Sequence, residues 1–269
     1  MSEDSMWWGN YPAEIDEPRL WVVGPLHLRI ERLNQELRVT HWRDGGAYER
    51  ELVVDGPVEN DPPLQAELQR FGFEQSPDMV NVAPALADRP IVNRPEFPFH
   101  LPPRESTTIY VSSPLWIQIR TRPDGPVLFE VPIHEPSDTW FGPNTRVGEL
   151  CYANRTAARV NLGNLVHLPQ RIVSAVAIQN RSDQRLDLER FKLPAPVLSV
   201  HAAADSNLWT EKITLVRESV SDAAELKLEH KPPAEAGDTE FLREPRQKPT
   251  GALLRAFGRI VGRGAGDDR

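Results

Sequence analysis

The chain has 269 residues, enough for one large or two small cored domains, and its 39% hydrophobic and 26% charged content is that of an ordinary globular protein. A net charge of −8 argues against a nucleic-acid-binding body, and no apolar stretch approaches the roughly 20 residues that span a bilayer. The 26 prolines outnumber the 16 glycines and, by removing backbone donors, exclude long helices through the middle of the chain.

Taken from the N-terminus, Trp7 and Trp8 are expected to pack the first strand. Leu20-Trp-Val-Val23 then runs into a Gly24-Pro25 turn. Leu26–Glu31 and Glu36–Trp42 alternate apolar and polar residues with period two, the pattern of antiparallel strands with one wet face. Asp61-Pro62-Pro63 has the chemistry of a helix start, and Leu64, Leu68 and Phe71 follow at helical spacing, so one short helix is expected near 62–71. Residues 76–104 are rich in proline and poor in periodicity, and are expected to form an extended, strand-poor connection. Thr107–Val111, Leu115–Arg120 and Val127–Val131 are strand-like, carrying β-branched and aromatic residues. Ala175–Asn180 and Leu186–Phe191, parted by turn residues, read as a hairpin. Val197–His201 and Leu208–Val216 close the series. The expected fold is all-β over residues 1–217, as one antiparallel β-sandwich or two packed sandwiches divided near 76–104.

Residues 218–247 lose this pattern, gain Glu, Lys, Pro and Ala, and read as a solvated linker. Residues 248–263 read as a C-terminal amphipathic helix. Thr250 would cap it, with Leu253, Leu254, Phe257, Ile260 and Val261 on one face and Arg255, Arg259 and Arg263 on another. Gly251 and Gly258 each cost about 1 kcal/mol in a helix, so this segment needs a surface to fold against. That surface is an anionic membrane, a groove on a protein partner, or the chain's own acidic body. From Arg246 onward six Lys/Arg face two Asp, a net +4, which leaves −12 on residues 1–245.

The run Pro132–Tyr152 is too polar for core and too aromatic for an idle loop. His134, Glu135 and Asp138 together have the chemistry of a metal or acid–base site, and Pro136 excludes a helical metal motif there. The alternative is a polar loop whose side chains cap turns. Trp140, Phe141 and Tyr152, with Trp116, offer either an aromatic platform or plugs for the sandwich core. Arg146 and Arg155 can grip an anion or pair with Glu149. Cys151, the sole cysteine, reads as a buried thiol in a reducing compartment. Met1-Ser-Glu-Asp-Ser lacks the basic and apolar runs of a secretory leader, so a cytoplasmic location is expected, peripheral to the inner membrane if the terminal helix binds lipid. No cofactor is expected.

His100-Leu-Pro-Pro, Ser113-Pro-Leu-Trp-Ile, Glu130-Val-Pro-Ile-His, Trp140-Phe-Gly-Pro, Gly148-Glu-Leu-Cys-Tyr and Ile178-Gln-Asn occur in that order. This arrangement resembles the prokaryotic family named domain of unknown function 432 over residues 6–217, and the tail beyond is expected to be this chain's own. The resemblance implies no activity and transfers no catalytic residue. It implies, as a partner, a small mechanosensitive-channel protein. The leading expectation is a non-catalytic binding or adaptor module. Its rivals are a metal-assisted hydrolase using the 132–152 run and a carbohydrate-binding module.

Overall fold

The computed structural model describes residues 6–45, 52–57, 61–95, 97, 99–144, 146–156, 158–218 and 225–248. Among these the first strands are β1 (Gly9–Pro12), β2 (Arg19–Val23), β3 (Leu26–Leu33), β4 (Glu36–Arg43), β5 (Leu52–Pro57), β6 (Glu67–Gly72) and β7 (Met79–Ala85). They are followed by β8 (Ile91–Pro95), β9 (Phe99–Leu101), β10 (Ser106–Pro114), β11 (Trp116–Arg120), β12 (Val127–Pro132), β13 (Ser137–Asn144) and β14 (Val147–Thr156). The last are β15 (Arg171–Asn180), β16 (Leu186–Leu188), β17 (Phe191–Leu193), β18 (Val200–Ala203), β19 (Leu208–Trp209), β20 (Ile213–Arg217), β21 (Glu225–Leu228) and β22 (Thr239–Arg243). Three single-turn 3₁₀ segments, at Leu162–Asn164, Ala195–Val197 and Ala234–Ala236, are the helical content of the described residues. No helix among them is long and apolar enough to cross a membrane.

One compact unit is drawn from Met1–Ala85, Pro114–Glu135 and Leu168–Gln170. It is a two-sheet sandwich with strand orders β1-β7-β11-β12 and β5-β2-β3-β4-β6. The alternation in β3 buries Leu26, Leu28 and Ile30, and β4 adds buried Val39 opposite Ile30 and buried Leu37 opposite Arg32. Rings join the sheets: Tyr11 meets Trp21 edge-on at 5.1 Å, and Phe129 of β12 takes His41 and Phe71 at 5.4 and 6.4 Å. Each aliphatic side chain fully buried this way contributes roughly 1.5–3 kcal/mol. Gly24 turns β2 into β3 with φ +57°, and an added Cβ would come within 3.0 Å of the Gln170 side chain.

Two expectations fail in this unit. The helix near 62–71 is strand β6, paired antiparallel with β4 from Glu36↔Gly72 to His41↔Glu67. The helical stripe has nothing to bury it: Leu64 is fully exposed and Leu68 half exposed. The open edge of β4 instead supplies backbone partners, and Glu36 grips Arg70 with bonds of 2.7 and 2.6 Å. Nor is 76–104 strand-poor. β7 lies inside its sheet with Val80, Val82 and Ala83 buried, because proline spacing limits helix but leaves room for short strands.

The second unit comprises Leu86–Ser113, Pro136–His167 and Arg171–Arg269. It holds the sheet β21-β20-β15-β19-β18-β22, to which β10 adds by pairing β15, the sheet β13-β14-β8-β17, and the pair β16-β9. Pairing is mostly antiparallel, with β14 on β8 and β15 on both β19 and β20 parallel. The expected 175–191 hairpin is absent, since β16 pairs β9 rather than β15. Buried Asn180 explains the departure: its amide donates to the carbonyls of Leu101, Pro102 and Gln184, which turns the chain toward another sheet. The stretch read as a linker carries β21 on β20 and β22 on β18, and Glu235 accepts the Tyr110 hydroxyl at 2.6 Å. Its polar composition suits edge strands, whose outer side faces water. The expected amphipathic helix, with Leu253, Leu254, Arg255, Phe257, Arg259, Ile260 and Val261, lies outside the described residues.

Candidate functional site

The run that looked like a loop is a β-hairpin. β13 and β14 pair with register Asp138↔Tyr152, Thr139↔Cys151, Trp140↔Leu150 and Phe141↔Glu149. Strand alternation therefore sorts its side chains onto two faces.

One face carries Asp138 and Trp140 with their cross-strand partners Tyr152 and Leu150. Trp140 is 39% and Leu150 44% exposed, a contiguous apolar pair in water. Beside them Arg89 donates to Asp138 at 3.2 Å and its guanidinium lies 5.2 Å from the centre of the Tyr152 ring. The Tyr152 hydroxyl donates to Asp88 at 2.9 Å. Burial first, and then that bond to a carboxylate, push the phenol up to about 12. Farther along β14 the same face becomes buried at Asn154, whose amide donates to Asn93 at 2.6 Å and to the Ser112 carbonyl at 3.0 Å. Arg171 donates to Ser112 and to Asn154 and completes the chain. The exposed aromatic end thus stands on a fully bonded polar base.

The opposite face is interior. Phe141, read as either part of an aromatic surface or a core plug, is a core residue: it is 3% exposed and clusters with Val92 and Cys151. Alternation makes this necessary, because a neighbour of an outward Trp140 must point inward. Lys192 and Arg190 lie over the Phe141 ring at 5.8 and 5.3 Å, and the nearly buried Lys192 ammonium pairs with Glu149. Burial lowers the Lys192 pKa against the pull of Glu149, and raises the Cys151 thiol to about 12. A thiol so held is a packing group rather than a nucleophile. Arg146 lies exposed at the hairpin turn.

His134 and Glu135 belong to the first unit and Asp138 to the second. Among the described residues no three His, Cys, Asp or Glu side chains gather to hold a metal ion, so these three do not form such a group. Glu135 acts instead on Arg43, which donates to the carbonyls of Pro132 and Ile133 at 2.5 and 3.2 Å.

A Ser–His–Glu grouping that sequence reading missed lies at Ser199, His201 and Glu211. Its order is wrong for nucleophilic catalysis. The Ser199 hydroxyl donates to Glu211 and sits 3.0 Å from His201 Nε2, so its proton is directed at the carboxylate rather than at the imidazole that would act as base. Glu211 also accepts the Ser199 backbone N–H at 2.8 Å, a structural duty. Sequence reading also missed Asp88, Arg89 and Leu150. Leu150 was detectable as the partner of Trp140 once the run was read with period two. Asp88 and Arg89 were hidden in the proline-rich stretch taken for a connection.

A β-sheet protein presenting a hairpin-borne aromatic face on a polar base is the class that this geometry defines. The chain belongs to the family described as protein of unknown function (DUF432), which matches residues 7–261. The match runs through 218–261, so the tail is not this chain's own addition as expected. No curated protein and no solved structure matches it.

Proposed function

We propose that this chain is a non-catalytic binding or adaptor module that docks a protein partner on the Trp140 face. The observation that carries the reading is the exposed Trp140–Leu150 pair beside side chains already locked by Arg89, Asp88 and Asp138. A preorganised tryptophan at a surface forfeits little freedom on binding, which is why such residues anchor interfaces. The partner class we favour is a small mechanosensitive-channel protein, with residues 248–263 holding the module at the inner-membrane surface. Metal-assisted hydrolysis has less support, because His134, Glu135 and Asp138 do not gather. Glycan binding needs Trp140 alone and leaves Leu150 without a role.

Biolayer interferometry against the detergent-solubilised channel protein tests the proposal. Trp140→Ala with Leu150→Ser should weaken binding by about tenfold or more, in line with loss of an interface anchor, while the β-sheet circular dichroism stays unchanged. Equal affinity of variant and wild type, or no binding by the wild type, would refute it.

A further inference from the structure

We propose that β6 is a self-pairing edge: two copies of this chain dimerise by joining their β6 strands antiparallel about a two-fold axis at Gln69. The inference goes beyond the docking reading and does not rest on it.

The open edge comes first. β6 ends its sheet, and among the described residues no strand pairs beyond it. Phe73 N–H donates to the Gln35 carbonyl at 2.8 Å, in register with the pairing of β4 and β6. Hydrogen-bonded rungs alternate with unbonded ones in an antiparallel ladder. Glu67, Gln69 and Phe71 therefore spend their backbone groups on β4, and those of Leu68, Arg70 and Gly72 point away from it. Such a row is a template for another strand, and proteins usually blunt it. The other end strands of this unit, β1, β5 and β12, each contain a proline: Pro12, Pro57 and Pro132. β6 has none, and it pairs with β4 without a register shift. The space beside the strand is open as well: Leu68 is 49% exposed, and a Cβ added to Gly72 would meet nothing within 4 Å.

The occupant follows from register and charge. With the axis at Gln69, Leu68 lies opposite the partner's Arg70 and Arg70 opposite the partner's Leu68, so the outward backbone groups of both residues are bonded. Gly72 N–H then meets the carbonyl of the partner's Ala66, where two small residues let the backbones close. Leu68 is covered by the aliphatic stem of the partner's Arg70, and each Arg70 keeps its bonds to its own Glu36. Gln69 meets the partner's Gln69 on the axis, and the two amides supply each other with donor and acceptor. Neither neighbouring axis does as well. At Arg70 it sets two guanidinium groups directly opposite one another, which is destabilising. At Leu68 it draws on both backbone groups of Ala66, whose N–H is already spent on the Pro63 carbonyl at 2.9 Å. Joined at Gln69, the two β5-β2-β3-β4-β6 sheets become one continuous sheet. Any binding face of the chain is then presented twice, which favours a partner that is itself oligomeric.

Cysteine crosslinking in the full-length chain tests the register. On an unbonded rung the Cα atoms stand about 4.5 Å apart, within disulfide reach, and the native Cys151 is fully buried. Gln69→Cys is expected to oxidise to a disulfide of dimer mass about tenfold faster than Leu68→Cys, which has no cysteine opposite it. Analytical ultracentrifugation reads the affinity. The wild type should dimerise reversibly, and Leu68→Lys, by setting like charges opposite, should raise the dissociation constant about tenfold with unchanged circular dichroism. A wild type that stays monomeric at about 0.5 mM, or faster crosslinking by Leu68→Cys, overturns the proposal. So does a dimer whose dissociation constant ignores Leu68→Lys, since another surface then carries it. Should Leu68→Lys fail to fold, the two crosslinking rates decide alone.

Discussion

Gly148 stands where β14 passes close against β13. A Cβ at this position would lie 2.7 Å from the Phe141 carbonyl oxygen and 2.7 Å from Trp140 Nε1. The first neighbour is backbone and cannot swing aside, so Gly148→Ala should destabilise by about 1–3 kcal/mol, the usual cost of overpacking. A shift of the urea midpoint checks this, and an unchanged midpoint would mean that the hairpin opens without penalty. Not every assignment at this scale was within reach of the sequence. Trp140 stood out only together with Phe141, as an aromatic in a polar run. Phe141 could not be told from it, since which of two adjacent rings points inward depends on a register that only pairing with β14 decides. Cys151 was legible as a buried thiol, because an uncharged side chain facing Thr139 across the interior needs no special partner.

For single elements, β6 shows how an edge overrides a local pattern. Its apolar residues fit a helix, yet it lies on β4 and is fixed there by the Glu36 carboxylate between Arg70 and Arg38. Those two guanidinium bonds, Arg70 first, hold the Glu36 pKa down at about 2 against an ordinary 4.5. A depressed carboxylate contributes stability above its unfolded value and loses it as pH falls through the folded value. Hydrogen-exchange protection of 67–72, taken relative to the intrinsic amide rate at each pH, should therefore fall from pH 4.5 toward 2 ahead of protection in β3. Arg70→Gln should move that fall to higher pH; simultaneous loss of β3 and β6 protection would contradict it. The strands of the first sandwich were legible because one wet face leaves a clean alternation. β8, β9 and β7 were not, because strands of 3 to 7 residues broken by proline leave too few periods to count.

In the whole molecule, the terminal stretch 225–248 is sewn to the second unit by hydrogen bonds whose partners lie far off in sequence. Tyr110 reaches Glu235, and burial first, then that carboxylate, raise its phenol to about 12, as happens to Tyr152 beside Asp88. A tyrosine pKa raised on folding contributes stability in full below about 10 and loses it as pH climbs through about 12. Melting temperature should thus fall from pH 10 upward, and Tyr110→Phe with Tyr152→Phe should flatten the fall; an identical slope would show that neither bond matters.

Each unit is assembled from three separated stretches of one polypeptide. No single contiguous piece of the gene encodes a whole unit. Stopping the chain after Ala85 leaves the first unit's sheet short of its interior strand β11, so a ribosome must run on through a stretch of the second unit before the first can close. Recombination between relatives at one crossover inherits the same penalty, and the family is expected to pass on this body entire, changing it by substitution rather than by exchange of parts.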